Sequence, residues 1–349
     1  GNPVFLDGSY GAIVNSAAFR HSGILPGTNH PGIVRDKHSG IPTGMIKREA
    51  FRLFRTPLPV ACSDDERLVA LVDMMGLYNR YGITSVCAGA GDRNTYEMYK
   101  GLRESGKLTV RVLLNFRVSF EGGLTDDDWM KRISDMKLRT GDGDEWVKAG
   151  ALKMILDGGI LTGTAYMREP WGEKAAKVFG FDDPEYRGVL SHTFEELYAV
   201  ARAAALNGWK FTAHCTGGGG VDLLLDVYEA VNRLHVIQPN RFSIIHGNFF
   251  TPEAIERMAK LGVCADMQAA WFYKDADTMR EILGEECILT FLPYRSLLDG
   301  GVMVNGGSDH MVKTDADASV NPYNPFLAMW SMITRTTERG SVIVPREAI

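Results

Sequence analysis

Short apolar runs alternate along this chain with longer amphipathic stretches, and the runs fall at 82–87, 108–114, 151–156, 209–214, 241–246, 262–266 and 301–305. Each is brief and rich in β-branched residues, which is the pattern of a strand buried on both faces of a parallel sheet. The intervening helices have readable ends. Ser63-Asp-Asp-Glu66 and Thr193-Phe-Glu-Glu196 are capping boxes, in which a hydroxyl and a carboxylate three residues apart satisfy free amides at a helix start. Thr251-Pro252 predicts another start, and Gly208 and Gly262 predict helix ends. Such alternation makes a parallel sheet, either closed as a barrel or open and doubly wound. No Gly-x-Gly-x-x-Gly follows an early strand, which counts against the dinucleotide-binding form of the open sheet.

Two segments break the rhythm. Residues 20–62 are rich in Gly, Pro, His and Arg, and residues 158–192 carry Tyr166, Trp171, Phe179 and Tyr186 among charges without a period. Long loops in compact domains usually serve function, and the aromatic content of 158–192 predicts a lid over the site. With 349 residues, 45% of them hydrophobic, the chain fits one α/β barrel domain with long loops. Its 38 basic and 43 acidic residues leave a net charge of -5 with no basic cluster, so nucleic acid is not an expected partner. No apolar run reaches the roughly 20 residues that span a bilayer. The five cysteines, at 62, 87, 215, 264 and 287, show no Cys-x-x-Cys spacing and read as reduced thiols of a cytoplasmic protein.

The chemistry collects at strand ends. Phe211-Thr-Ala-His214 runs into Gly217-Gly-Gly-Gly220, Ser243-Ile-Ile-His246 into Gly247, and Val302-Met-Val-Asn into Gly306-Gly-Ser-Asp309. His214 and His246 are 32 positions apart, about one strand-helix unit, and Asp309 follows 63 later, about two units. In a parallel barrel these ends share one rim. Imidazole and carboxylate suit Zn²⁺ or a similar divalent ion, which lowers the pKa of bound water to ~7. Lys153, inside Ala-Leu-Lys-Met-Ile-Leu156, is costly to bury charged and should be neutralised, carbamylated, or paired with an acid such as Asp157. Asp157 and Asp266 are candidates for the shell behind the ligands, His310 for a substrate contact or an exposed rim residue, and Trp171 and Trp271-Phe-Tyr273 for an apolar wall. Cys215 should point away from the rim by strand alternation, so it is a weak candidate nucleophile.

These motifs, in order, resemble the amidohydrolase superfamily, and within it the amidohydrolase-3 group of YtcJ-like and N-substituted formamide deformylase-like proteins. The resemblance runs from Asp7-Gly-Ser-Tyr-Gly-Ala-Ile-Val-Asn-Ser16 through Lys153-Met-Ile-Leu-Asp-Gly158, His214-x-x-Gly217 and Ile245-His246 to Gly307-Ser-Asp309. It implies a (β/α)8 TIM-type barrel with one or two divalent metal ions, most readily zinc. Lys153, His214, His246 and Asp309 stand at the positions of the superfamily's ligands, and Asp309 at that of its catalytic proton carrier.

The chain also departs from the pattern. The superfamily's first-strand His-x-His occurs nowhere in it, so strand one is expected upstream of residue 1 and most of the small β-sandwich domain outside the sequence. Gly218 stands where Asp is usual, Ile245 where Glu is usual, and Tyr10 where His is usual. The expectation is therefore a hydrolase for the C–N bond of an amide, N-acyl or N-formyl amine, with a small-molecule substrate, no membrane partner and room for a homodimer. The rival is a metal-poor, inactive barrel kept as a binding or scaffold protein.

Overall fold

A computed structural model describes residues 1–7, 11–36, 39–55, 63–119, 123–311 and 314–349, with the side chains of Arg48 and Glu49 left out. Tyr10, the Gly8-Ser9 pair of the first motif, and Cys62 lie outside the described residues. Four short strands open the chain: β1 (Phe5–Asp7), β2 (Gly11–Val14), β3 (Ile33–Arg35) and β4 (Pro42–Lys47). They pair antiparallel in the order β1-β2-β4-β3. Ala12, Val14, Ala18, Ile33, Ile46 and Phe54 form a small core of their own under this sheet. Part of the segment read as a loop from 20 to 62 is thus regular structure, disguised by strands only three and six residues long.

The rest of the chain builds seven parallel strands: β5 (Ser85–Gly91), β6 (Arg111–Arg117), β7 (Val147–Ile155), β8 (Lys210–Cys215), β9 (Ser243–His246), β10 (Cys264–Gln268) and β11 (Val304–Gly307). They lie side by side in chain order, and all seven correspond to the expected runs. The expected starts at 82, 108, 241, 262 and 301 precede the strands by two or three residues, and at the first two the reason is the same. Gly82, at φ 76°, and Ile83 complete the exit of helix Asp64–Arg80, with Ile83 N–H donating to Tyr78 O. Leu108 N–H likewise donates to Leu102 O at the next helix exit. The apolar residues that looked like strand starts are helix caps there.

Both expected capping boxes form, at Ser63/Glu66 and Thr193/Glu196. A third, Thr125/Asp128, uses aspartate where glutamate is usual. The middle of the sheet is sealed by Leu152, Met154, Phe211, Ala213 and Ile244, all fully buried. The margins differ. Among the described residues β5 and β11 have one strand neighbour each, and Asn305, Gly306 and Gly307 are exposed. The sheet nonetheless curls, because helix Asp64–Arg80 before β5 meets the segment after β11: Tyr78 Oη lies 3.0 Å from His310 Nδ1, and Tyr323 packs edge-on to both Tyr78 and Tyr81.

Candidate metal centre

The curl brings the carboxyl ends of β7, β8 and β9 together. His214 and His246 face each other with ring centroids 4.6 Å apart, at an interplanar angle of 74°. Lys153 acts electrostatically on both rings and on Asp309, and its Nζ lies 3.8 Å from where a Cβ on Gly89 of β5 would stand. Lys153 is thus within electrostatic reach of both histidines and of Asp309. Among the described residues, however, no group of three or more His, Cys, Asp and Glu side chains could hold a metal ion.

Each histidine has one ring nitrogen fixed by a neighbour that can only accept. His214 Nε2 is 3.1 Å from Gly158 O, so it carries the proton and leaves Nδ1 as the lone-pair nitrogen. His246 Nδ1 is 2.6 Å from Gln268 Oε1, whose amide is oriented by Nε2 donating to Asp266 O at 3.0 Å. Nε2 is then the lone-pair nitrogen of His246. Burial holds both rings neutral: His214 falls to about 4, opposed by the Gly158 bond and helped by Lys153, and His246 falls well below the usual histidine range. Burial lowers Lys153 too, against the pull of Asp309, and raises the Asp309 carboxyl, against the pull of Lys153. Neutral nitrogens are what a divalent ion needs as ligands.

The backbone at these ends is strained. His246 has φ 78° and Asp309 φ 50°, left-handed values for residues with side chains, each costing about 1–3 kcal/mol unless the surroundings enforce it. Close by, Asn248 is fully buried, and among the described residues neither its amide atoms nor the Trp271 indole N–H meets a hydrogen-bond partner. An orphaned buried polar group costs about 1–3 kcal/mol, so a ligand or water bonding these atoms would be stabilised here. The two neutral imidazoles, each with one ring nitrogen bonded to an acceptor, fit a metal-bearing site on the His214 and His246 side.

The remaining candidates divide. Asp157 is fully buried and accepts from the amides of Thr216 (2.8 Å), Gly217 (2.7 Å) and Tyr166 (3.0 Å), with burial pushing it up to about 7 against those bonds. It staples the end of β7, the 158–192 segment and the turn after β8, with His214 Nε2 only 3.7 Å away. The acids that act most on Lys153 are Asp309 and Asp266. Asp266 accepts from Asn305 Nδ2 at 2.7 Å. Cys215 is buried, its thiol held up by burial, which removes it as a nucleophile. His310 sits half-buried against Tyr78 and Tyr323. Of the aromatic trio, Trp271 stacks on His246 at 4.6 Å and 14°, whereas Phe272 is core and Tyr273 meets Trp330. Trp171 is also core, donating to Ala165 O. Gln268 and Asn248 were missed, because a lone amide at a strand end carries no sequence signal.

The four-glycine run is a seat for the 158–192 segment. A Cβ on Gly217 would strike the Tyr166 backbone, and one on Gly219 would come within 2.8 Å of Met167 O. A Cβ on Gly218 would strike Arg168 Nη1. Arg168 pairs with Asp222 through two bonds, of 2.6 and 2.7 Å, and donates to Phe249 O at 3.2 Å. Glycine stands at 218, where aspartate was expected, because the guanidinium occupies that space, and the carboxylate that meets it comes one helical turn later. The segment thus lies against the carboxyl ends of β8 and β9.

A profile of the amidohydrolase family matches residues 1–349, and the chain belongs to that family. It is 28% identical over 338 residues to Protein LONG AFTER FAR-RED 3 of Arabidopsis thaliana, covering 92% of this chain and 54% of that protein. Against the N-substituted formamide deformylase of Arthrobacter pascens it is 27% identical over 363 residues, covering all of this chain and 61% of the deformylase. The chain spans little more than half the length of these relatives. Its fold superimposes on an uncharacterized metal-dependent hydrolase from Pyrococcus horikoshii with a TM-score of 0.67 at 18% identity, over 99% of this chain and 62% of the other.

Proposed function

We propose that this chain carries the hydrolytic site of a metal-dependent amidohydrolase that cleaves the C–N bond of an amide, N-acyl or N-formyl amine. The observation that carries the reading is the pair of buried, neutral histidines 4.6 Å apart, with Lys153 beside them. His214 through Nδ1, His246 through Nε2, Lys153 and Asp309 would hold the ion, zinc or a similar divalent metal, as one or two ions. A bound ion supplies a polarised substrate carbonyl and an acidified water. Asp309, its carboxyl raised by burial, takes a proton at the carboxylate and returns it to the leaving nitrogen. Residues 158–192 act as the lid that excludes water, fastened by Asp157 and by Arg168 on Asp222. The open margins at β5 and β11 fit an eighth strand that completes the (β/α)8 barrel in the whole protein, which acts on small molecules in the cytoplasm. The N-formyl preference draws on the deformylase relative.

A second reading, an inactive scaffold, is favoured by the lack of a three-ligand His, Cys, Asp and Glu group among the described residues. Metal analysis of the purified full chain, followed by assay of N-formyl and N-acyl amines, separates the two. Bound zinc with amine release supports the enzyme. Full folding with neither supports the scaffold.

A further inference from the structure

We propose that Gln268 is the positioning residue of this centre: its amide oxygen holds the Nδ1 proton of His246, so that His246 presents Nε2 as its donor atom. The inference rests on the metal reading for its purpose, although the geometry stands without it. Gln268 ends β10 and Trp271 lies three residues on, in the first turn of helix Ala269–Ile288, so one short stretch grips the imidazole twice. Gln268 Oε1 meets Nδ1 at 2.6 Å, and Trp271 covers a ring face with centroids 4.6 Å apart and an interplanar angle of 14°. The grip bears on a residue whose backbone is left-handed at φ 78°. A side chain there has few ways to be held by its own strand, and the neighbouring strand does it.

Gln268 is itself fixed. Its Nε2 donates to Asp266 O at 3.0 Å, which settles that oxygen and not nitrogen faces the imidazole. If oxygen faces Nδ1, that nitrogen must carry the proton. His214 is set in the opposite sense, with Nε2 bonded to Gly158 O. The two rings therefore offer different nitrogens across a centroid gap of 4.6 Å, His214 through Nδ1 and His246 through Nε2. Gly158 does for His214, through a backbone carbonyl, what Gln268 does for His246 through a side chain, and only the second can be removed by substitution.

The test uses the metal-free full chain, with imidazole tautomers read by ¹⁵N NMR and zinc affinity by titration with zinc alone. The wild type should show His246 protonated on Nδ1. Gln268→Met, of similar volume and without an acceptor, should move His246 toward the Nε2–H form and weaken zinc about 10- to 100-fold, the usual effect of losing a partner behind a ligand. Gln268→Glu keeps an acceptor and should keep the tautomer, which provides a reading if the methionine variant folds poorly. An unchanged His246 tautomer in Gln268→Met, or an Nε2–H form in the wild type, overturns the proposal. A shifted tautomer in a protein that never binds zinc upholds the positioning role and removes the metal reading.

Discussion

The middle of the parallel sheet and its margins are built to different standards. β8 and β9 each have two strand neighbours, and their terminal histidines are buried, with one ring nitrogen of each fixed at 3.1 and 2.6 Å. Asp309 follows β11, a margin strand ending in exposed glycines, and is only half-buried. The lesson is that the nitrogen side of the proposed centre is preorganised by the fold, whereas Asp309 is held by a left-handed turn and by the bond from Asn321 Nδ2 to its carbonyl. If the histidine pair is the main anchor of the proposed metal, metal binding and turnover should come apart when the two sides are altered separately.

The largest effect is expected at the margin. Asp309→Asn keeps the shape but accepts no proton, and turnover of an N-formyl or N-acyl amine by the full protein should fall ~10²- to 10⁴-fold while zinc content changes little. A silent substitution would make Asp309 a turn residue, since asparagine serves turns and caps as well as aspartate does. The converse holds in the middle of the sheet. His214→Ala or His246→Ala should weaken zinc by more than about 100-fold, because even the partners behind ligands are worth about 10- to 100-fold. Equal losses of zinc from the Asp309 and histidine variants would erase the distinction between the two sides.

Fastening of the 158–192 segment should matter less. Arg168→Leu removes the paired contact to Asp222 and the bond to Phe249 O, and charged hydrogen bonds of this kind contribute about 1.5–3 kcal/mol. KM should rise about tenfold with zinc affinity intact; a fall in kcat and zinc together would mean that the segment supports the fold and does not act as a lid. The smallest effect is on pH dependence. His214 is held at about 4 in the fold against 6.5 unfolded, so its neutral form stabilises above 6.5, and that stability is lost as pH falls toward 4. Asp157, raised to about 7 from 3.8, has the opposite sign and loses stability as pH rises between those values. Thermal melts of metal-free wild type and His214→Gln between pH 4 and 7 should differ in slope, with the variant losing less stability on acidification.

Much of this was legible in the chain. The seven short apolar runs foretold the parallel sheet, because strands buried on both faces are mostly apolar, and the histidines at the ends of two of them lie face to face. The fastening of 158–192 was not legible, since it depends on which backbone fills the space above Gly217, Gly218 and Gly219, and glycine alone does not say what approaches it. Gln268 was hidden for a similar reason: its partner His246 is 22 residues away, on the neighbouring strand. The four-stranded sheet escaped notice because strands this short carry too few alternations to outweigh the Gly and Pro around them.

The most direct measurement is a calorimetric titration of zinc into the metal-free full chain at pH 7, repeated with His214→Ala, His246→Ala and, as a control away from the centre, Cys264→Ala. The account predicts saturable binding by the wild type and the cysteine variant and its loss in both histidine variants. Absence of binding by a folded wild type, or binding that survives both histidine substitutions, would contradict it.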